Sequence, residues 1–140
     1  MRYIAKGAGD VSDREYRVLA AFRYTLRHFL RFSEQAAEAV GLTPHQHQAL
    51  LAVRGAEGPV TVGALAEQLQ VRHHSAVGLV DRLVRGGLLE RRPVPADRRA
   101  VRLALTARGG RLLERLTAAH RQELSRIRAD LIRPLEHLGH

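Results

Sequence analysis

The sequence predicts a mainly α-helical fold with a small β-hairpin wing, that is, a winged helix-turn-helix flanked by long helices. Apolar residues recur at steps of three and four along most of the 140 residues, which is typical of amphipathic helices. Between Leu88 and Leu105 the period changes to two, which is typical of a β-ribbon. Six helices and one hairpin are expected in all. Because aromatic residues are only 4% of the chain, Leu, Val and Ala should build the core.

The first helix should begin at Ser12, because Ser12 and Glu15 form a capping-box pattern, and Gly41 should end it. Residues 1–11 before it are expected to be a loose arm. Its apolar stripe comprises Leu19, Phe22, Leu26, Phe29, Ser33, Ala36 and Val40. This stripe is larger than a small winged domain can cover, so the helix is expected to join two copies of the chain.

Three shorter helices follow. Thr43-Pro44 should start the second helix, and the stretch Gly55 to Pro59 should end it. Thr61 should start the third helix, and Gly86-Gly87 should end the fourth. The residues Gln70-Val71-Arg72 join the third helix to the fourth, which should run from about His73 to Val84. Two short helices connected so tightly predict a helix-turn-helix.

The hairpin should consist of a strand over Leu88–Arg92, a tip over Pro93–Arg99 and a returning strand up to Leu105. Proline cannot donate to a ladder, so Pro93 and Pro95 predict an edge ribbon. Thr106 is expected to cap a fifth helix, and a sixth should follow over Leu124–Leu138 with Pro134 kinking or shifting it.

Residues 1–140 are therefore expected to form one domain. Within it, residues 12–40 and 106–138 would be dimerisation helices, and residues 44–105 the winged helix-turn-helix.

Positive charge is concentrated in one segment. The chain carries +9 at pH 7, and Arg72 to Arg111 alone holds ten Arg against three acids, a net +7. The remaining 100 residues carry only +2. A basic excess confined to the predicted helix-turn-helix and wing indicates a polyanionic partner such as DNA.

The fourth helix should present its polar face to the major groove of DNA. The candidate contacts on or beside it are Arg72, His73, His74, Ser75, Gly78 and Arg82. Arg and His can donate to guanine or to phosphate, and Gly78 permits close approach to a base. On the wing, Asp97 should hold one of its neighbours Arg98 and Arg99 by a bidentate pair and aim it into the minor groove, while the other arginine and Arg102 meet phosphates.

Five segments together resemble the MarR family, the multiple antibiotic resistance regulators. They are Leu65–Leu69, Leu79–Leu83, Gly87–Arg91, Asp97-Arg98-Arg99 and Leu105–Gly109. The resemblance implies a homodimer that binds a pseudo-palindrome, usually as a repressor released by a small aromatic or phenolic ligand. It places the minor-groove arginine at Arg99, its aiming acid at Asp97, and the base-reading positions near His73, His74, Ser75 and Gly78.

Three positions depart from the family pattern. Arg72 stands where a Ser or Thr cap is common, Gln70 where Gly often makes the turn, and Gly78 where a polar or basic residue is frequent. These departures affect which operator is read rather than how it is bound. For the effector, the resemblance suggests a crevice between the dimerisation helices and the winged domain, with Phe29, Phe32, His47 and Arg111 as lining candidates.

Other function classes find little support. The sequence has no Cys, which excludes thiol redox sensing, and no catalytic constellation, metal motif or cofactor-binding motif. It also lacks an apolar leader or membrane span, so a cytoplasmic protein is expected. Two alternatives stay open: a sequence-indifferent architectural DNA-binding protein, which the basic wing suits equally well, and a helical protein–protein module without DNA function.

Overall fold

The structure, a computed structural model, describes residues 9–138 except the side chain of residue 98. The predicted arm over residues 1–11 therefore lies largely outside the described residues. The elements are α1 (Asp13–Ala39), α2 (Pro44–Gly55), α3 (Val62–Leu69), α4 (His73–Arg85), β1 (Leu89–Val94), β2 (Asp97–Leu105) and α5 (Ala107–Glu136). The predicted fold class is confirmed: the described residues are mainly helical and contain one antiparallel two-stranded hairpin, the wing.

The prediction of six helices is wrong by one, because the fifth and sixth are a single helix of 30 residues, α5. The stretch between Leu116 and Leu124 contains neither Gly nor Pro, so nothing in it ends a helix. Pro134 lies within the last turn of α5, and the helix ends two residues later.

Side chains cap the helices where the sequence predicts. Thr43 and Gln46 form a reciprocal capping box at α2, with hydrogen bonds of 2.9 and 3.1 Å. Ser12 and Glu15 form the same reciprocal box at α1. At α3, the Thr61 hydroxyl accepts a hydrogen bond from Ala64 N–H. These caps fix the helix starts and so determine which faces turn inward.

The chain forms two compact units. One contains the chain up to Phe32 and from Arg121 onward, and the other is Ser33–His120. The core of the second unit is built from α2, α3, α4, the wing and the first turns of α5, and its most deeply buried large side chains are Leu50, Leu65, Val80, Leu83 and Leu89.

The first unit leaves much apolar surface exposed. Tyr16 and Tyr24 are 60% and 65% exposed, and Leu19, Leu30, Leu124, Ile132 and Leu135 are also exposed large hydrophobic residues there. Within this unit, Arg14 and His137 approach to 3.0 Å. No helix among residues 9–138 is both long enough and apolar enough to cross a membrane.

Candidate nucleic-acid interface

The turn between α3 and α4 depends on a left-handed residue. Gln70 has a φ of +55°, and its N–H bonds to the carbonyl of Glu67 at 3.1 Å. Val71 N–H bonds to Ala66 O at 3.0 Å, so both returning donors are satisfied. Gln70 thus adopts the conformation that glycine usually supplies, and the departure noted in the sequence does not alter the turn.

The two faces of α4 differ sharply. Ala76, Leu79, Val80 and Leu83 are buried against the core of the second unit. The opposite face carries the side chains predicted from sequence, with Arg72, His73, His74, Ser75 and Arg82 exposed and Gly78 half-buried. Five of the six candidate contacts on this helix are therefore accessible to a partner.

The N-terminus of α4 has no side-chain cap. Arg72 occupies the N-cap position with extended backbone and makes no capping hydrogen bond. The first backbone N–H groups of a helix point outward and attract negative charge. A guanidinium next to uncapped N–H groups gives this end of α4 the chemistry of a phosphate-binding site.

The wing is longer, and its tip shorter, than predicted. The strands reach Val94 and restart at Asp97, so the predicted tip over Pro93–Arg99 is wrong in its bounds. Leu103 N–H points away from β1, because it bonds to Val60 O at 2.8 Å. Arg91 and Leu103 are therefore a pair without hydrogen bonds between the strands, and so are Pro93 and Val101, two residues further along the ladder. Pro93 needs no N–H toward β2 and can stay in the strand.

Asp97 makes a contact of a different kind from the one predicted. Its carboxylate accepts a hydrogen bond from the backbone N–H of Arg99 at 3.0 Å, rather than a bond from that guanidinium. The contact is local and holds the backbone of the wing tip, as aspartate does in turns. The Arg99 side chain is exposed there.

Two ion pairs that the sequence analysis missed stiffen the wing. Arg91 on β1 donates to Asp81 on α4 at 2.5 Å, and Arg92 pairs with Glu90 on its own strand. Asp81 and Arg91 are ten residues apart, one on a helix and the other on a strand. Their spacing in the sequence therefore does not predict that they pair. The first pair joins α4 directly to the wing.

Arg102 lies on the other face of the wing from Arg91. Residues paired across a ladder share a face, so Arg102 groups with Arg92 and Glu90. Arg102 is half-buried, and its Nε is buried without a hydrogen-bond partner among the described residues.

The turn after α4 is fastened to the start of α5. Thr106 Oγ donates to Gly87 O at 2.6 Å and accepts from Gly109 N–H at 3.0 Å, so that it caps α5 as predicted. Arg108 donates to Gly86 O at 3.0 Å. A Cβ on Gly109 would lie 2.1 Å from Leu88 O, so only glycine fits there.

The four effector-lining candidates have different surroundings. His47 is 5% exposed, and its ring lies 4.9 Å from that of His120, a neighbour that sequence reasoning missed. Burial first, and His120 second, lower the pKa of His47. Arg111 is exposed in the same unit, while Phe29 and Phe32 are half-buried in the other. Within residues 9–138 no group of three His, Cys, Asp or Glu side chains could hold a metal ion.

A sequence model described as the MarR family matches residues 40–100. The crystal structure of the transcriptional regulator Tm0710 from Thermotoga maritima is 32% identical to this chain, with a TM-score of 0.60. That likeness covers 79% of this chain and 80% of Tm0710. This chain belongs to the MarR family. The resemblance stated from the motifs is confirmed, and the protein is a transcription regulator by class.

Two further likenesses set this MarR protein among its relatives. The HTH-type transcriptional regulator YcgE of Bacillus subtilis is 33% identical over 90 residues, which is 64% of this chain and 58% of YcgE. The match thus spans less than two thirds of that relative's length. A variant of Staphylococcus aureus MepR bound to an oligodeoxyribonucleotide is 22% identical, with a TM-score of 0.68 over 93% of this chain and 100% of that chain. At this identity it shares the fold alone.

Proposed function

We propose that this MarR protein binds a pseudo-palindromic DNA operator as a homodimer and acts as a repressor that a small effector releases. The observation that carries the proposal is the uncapped N-terminal turn of α4, where Arg72, His73, His74 and Ser75 stand exposed together. A DNA-bound relative of the same fold supports it.

In this proposal α4 is the recognition helix and enters the major groove. His73, His74 and Ser75 read base edges, while Arg72 and Arg82 meet bases or the flanking phosphates. Gly78 lets the helix backbone approach a base or a thymine methyl.

The wing acts in the neighbouring minor groove. Arg99 enters that groove, where a narrow A·T-rich stretch has an enhanced negative potential. Asp97 acts through the backbone of the tip, and Arg98 meets a phosphate. Arg102, the remaining candidate, lies on the ribbon face that carries Arg92 and Glu90, and a separate role for it is argued below.

The first compact unit supports the homodimer. Its exposed tyrosines, leucines and isoleucine lie on the helices that the sequence assigned to dimerisation, residues 12–40 and 106–138. An exposed apolar surface of this kind marks an interaction site. A second copy of the chain would cover it, and two-fold symmetry would then place two half-sites about one helical turn apart.

A small aromatic or phenolic effector, bound near Phe29, Phe32, His47 and Arg111, would release the operator. His47 is buried beside the ring of His120, and a buried polar group is the kind of group that orients such a ligand, which supports His47 in this set. A DNA-bound repressor of this class would act in the cytoplasm.

Selection of genomic fragments by the purified protein, followed by footprinting against competitor DNA, tests the proposal. A protected pseudo-palindrome is expected. Uniform protection at all sequences would favour the architectural alternative instead. Absence of binding to any duplex at low salt would favour the protein–protein module.

The wing assignment has its own test. Arg99→Ala should weaken operator binding by about 1–3 kcal/mol and relax the preference for A·T at the flanks. Arg115→Ala, which removes an exposed arginine of α5 far along the chain from the wing, is the matched control. Unchanged affinity and flank preference in Arg99→Ala would contradict the minor-groove role.

A further inference from the structure

A cavity of about 440 Å³ lies at the base of the wing, away from the proposed DNA-reading surface. It is lined by the end of α2, the loop after it and one strand, through Val53, Arg54, Glu57, Gly58, Pro59, Arg102, Leu103, Ala104 and Leu105. Every lining residue belongs to the second compact unit. No role proposed above uses this cavity.

Its charged residues are two arginines and one glutamate. Arg54 lies in the last turn of α2, where the helix dipole favours a cation, and Arg102 belongs to β2. Glu57 is exposed in the loop between them. The formal charge of the lining is +1, so one negative charge in the cavity would balance it.

Arg102 is incompletely satisfied. Its Nε is buried and no acceptor contacts it in the part of the chain that the structure describes. A buried donor without an acceptor is costly, and a guanidinium presents Nε and Nη side by side as a fork that matches two oxygens of one anion. Because Arg102 lines the cavity, an oxyanion bound there would lie beside this guanidinium.

The rest of the lining is apolar. Val53, Pro59 and Ala104 contribute carbon surface to the same cavity as the two guanidinia. Such a surface suits the hydrocarbon part of a small organic acid. We propose that the cavity at the wing base binds a small monocarboxylate, whose carboxylate contacts the guanidinium of Arg102 and whose apolar body lies against Pro59 and Ala104.

The same oxyanion chemistry could come from a DNA backbone phosphate. Arg102 lies on the ribbon face that carries Arg92 and Glu90, opposite the face that Arg91 turns toward α4. This geometry favours a free acid over a phosphate held along the recognition helix. The proposal does not depend on DNA binding, and the two sources can be separated by experiment.

The probes are acetate and butyrate, titrated into the full chain without DNA. Binding is followed at the Arg102 Nε–H resonance by nitrogen-15 NMR. A saturable shift of that resonance is expected, and butyrate should bind about tenfold more tightly than acetate because it buries two more methylenes. No shift with butyrate, or equal affinity for both acids, would overturn the proposal.

Butyrate binding to three variants, measured by calorimetry, sharpens the test. Arg102→Gln should weaken butyrate binding about tenfold or more, since it removes the charged fork. Glu57→Gln should strengthen butyrate binding a few-fold, because it removes a negative charge that repels the carboxylate of the ligand. Arg115→Gln, an exposed arginine outside the cavity, should leave it unchanged. Equal loss in Arg102→Gln and Arg115→Gln would mean general charge attraction and would refute the site.

The DNA arm uses the operator duplex. If Arg102→Gln lowers DNA affinity and the salt slope by about one while butyrate never shifts Nε, the oxyanion is a DNA phosphate and the proposal is wrong. If butyrate binds as expected and no duplex binds at all, the cavity assignment holds while the proposed function fails.

Discussion

The carboxylate of Asp81 on α4 accepts a hydrogen bond of 2.5 Å from the guanidinium of Arg91 on β1. The two side chains are 46% and 39% exposed. Water screens a pair of this kind, so its value lies in orientation rather than in stability. It fixes the direction in which the wing leaves α4.

Asp81→Asn should therefore separate folding from binding. The free energy of unfolding should fall by less than about 1 kcal/mol, because the pair is exposed. Operator affinity should fall on the order of tenfold as the wing loses its orientation. Urea unfolding and fluorescence anisotropy measure the two quantities. Glu90→Gln, which breaks the pair with Arg92 inside one strand, should leave affinity nearly unchanged, and an equal loss in both variants would refute the orienting role.

Arg72→Ser tests the uncapped N-terminus of α4. Serine can accept a hydrogen bond from a first-turn N–H, so the free energy of unfolding of the variant should rise by about 0.5–1 kcal/mol. DNA binding should weaken at all sequences alike, with the salt slope smaller by about one, because a phosphate contact and its free N–H partners are lost together. Thermal melts and salt-dependent titrations measure both. A more stable protein that binds DNA as well as the wild type would count against a phosphate site at this helix end.

Gly78→Ala is the corresponding test on the face of α4. A Cβ there would meet only Arg82 Nη1, at 3.6 Å, which is ordinary contact. The variant should be more stable by about 0.8–1 kcal/mol, because alanine favours a helix interior over glycine. Operator affinity should nevertheless drop, since the added methyl stands where the helix approaches the bases. Unchanged affinity together with raised stability would show that Gly78 makes no close approach.

The adjacent glycines at the start of α5 should respond in opposite directions. Gly109→Ala places a methyl against Leu88 O and should cost about 1–3 kcal/mol or more of the free energy of unfolding. Gly110→Ala meets nothing within 4 Å and should stabilise by up to about 1 kcal/mol through helix propensity. Denaturant unfolding of the pair checks this. Similar stability changes of the same sign would mean that α5 can move away from Leu88.

His47 should make stability depend on pH. Its pKa in the folded protein is lowered from 6.5, chiefly by burial and also by His120. As pH falls, the unfolded chain therefore takes up this proton before the folded protein does. The stability contributed by neutral His47 is complete above pH 6.5 and is lost as pH falls from there toward the folded-state pKa.

Unfolding titrations between pH 5 and pH 8 measure this dependence, a window around the ordinary histidine pKa. His47→Gln should flatten the curve, whereas His45→Gln, at an exposed position of the same helix, should not. Parallel curves for His47→Gln and wild type would exclude His47 as the source.

The fold class and the family could be predicted from sequence because several local signals agree. The caps at Thr43 and Thr61 and the change of period after Gly87 act over a few residues, and each survives packing unchanged. The break expected inside α5 is wrong, because the two apolar clusters lie on one helix and no residue between them ends it.

The site was predictable residue by residue but not contact by contact. The exposed face of α4 follows from helical periodicity, so its candidates could be named in advance. The pairs of Asp81 with Arg91 and of His47 with His120 arise only when distant segments meet. The bond of Asp97 to the backbone N–H of Arg99 depends on the two-residue turn at the wing tip. Pro93 and Pro95 made the sequence predict a longer tip there.

The bonds of Thr106 and Arg108 to the Gly86-Gly87 turn leave little freedom between the end of α4 and the first turn of α5. Any rotation of the first turn of α5 must carry the end of α4 with it. In the proposed complex, α4 and the start of α5 would therefore meet DNA as one block rather than as two parts joined by a flexible linker. Substitutions of Thr106 or Arg108 would then change how α4 is presented to an operator without altering any side chain proposed to touch DNA.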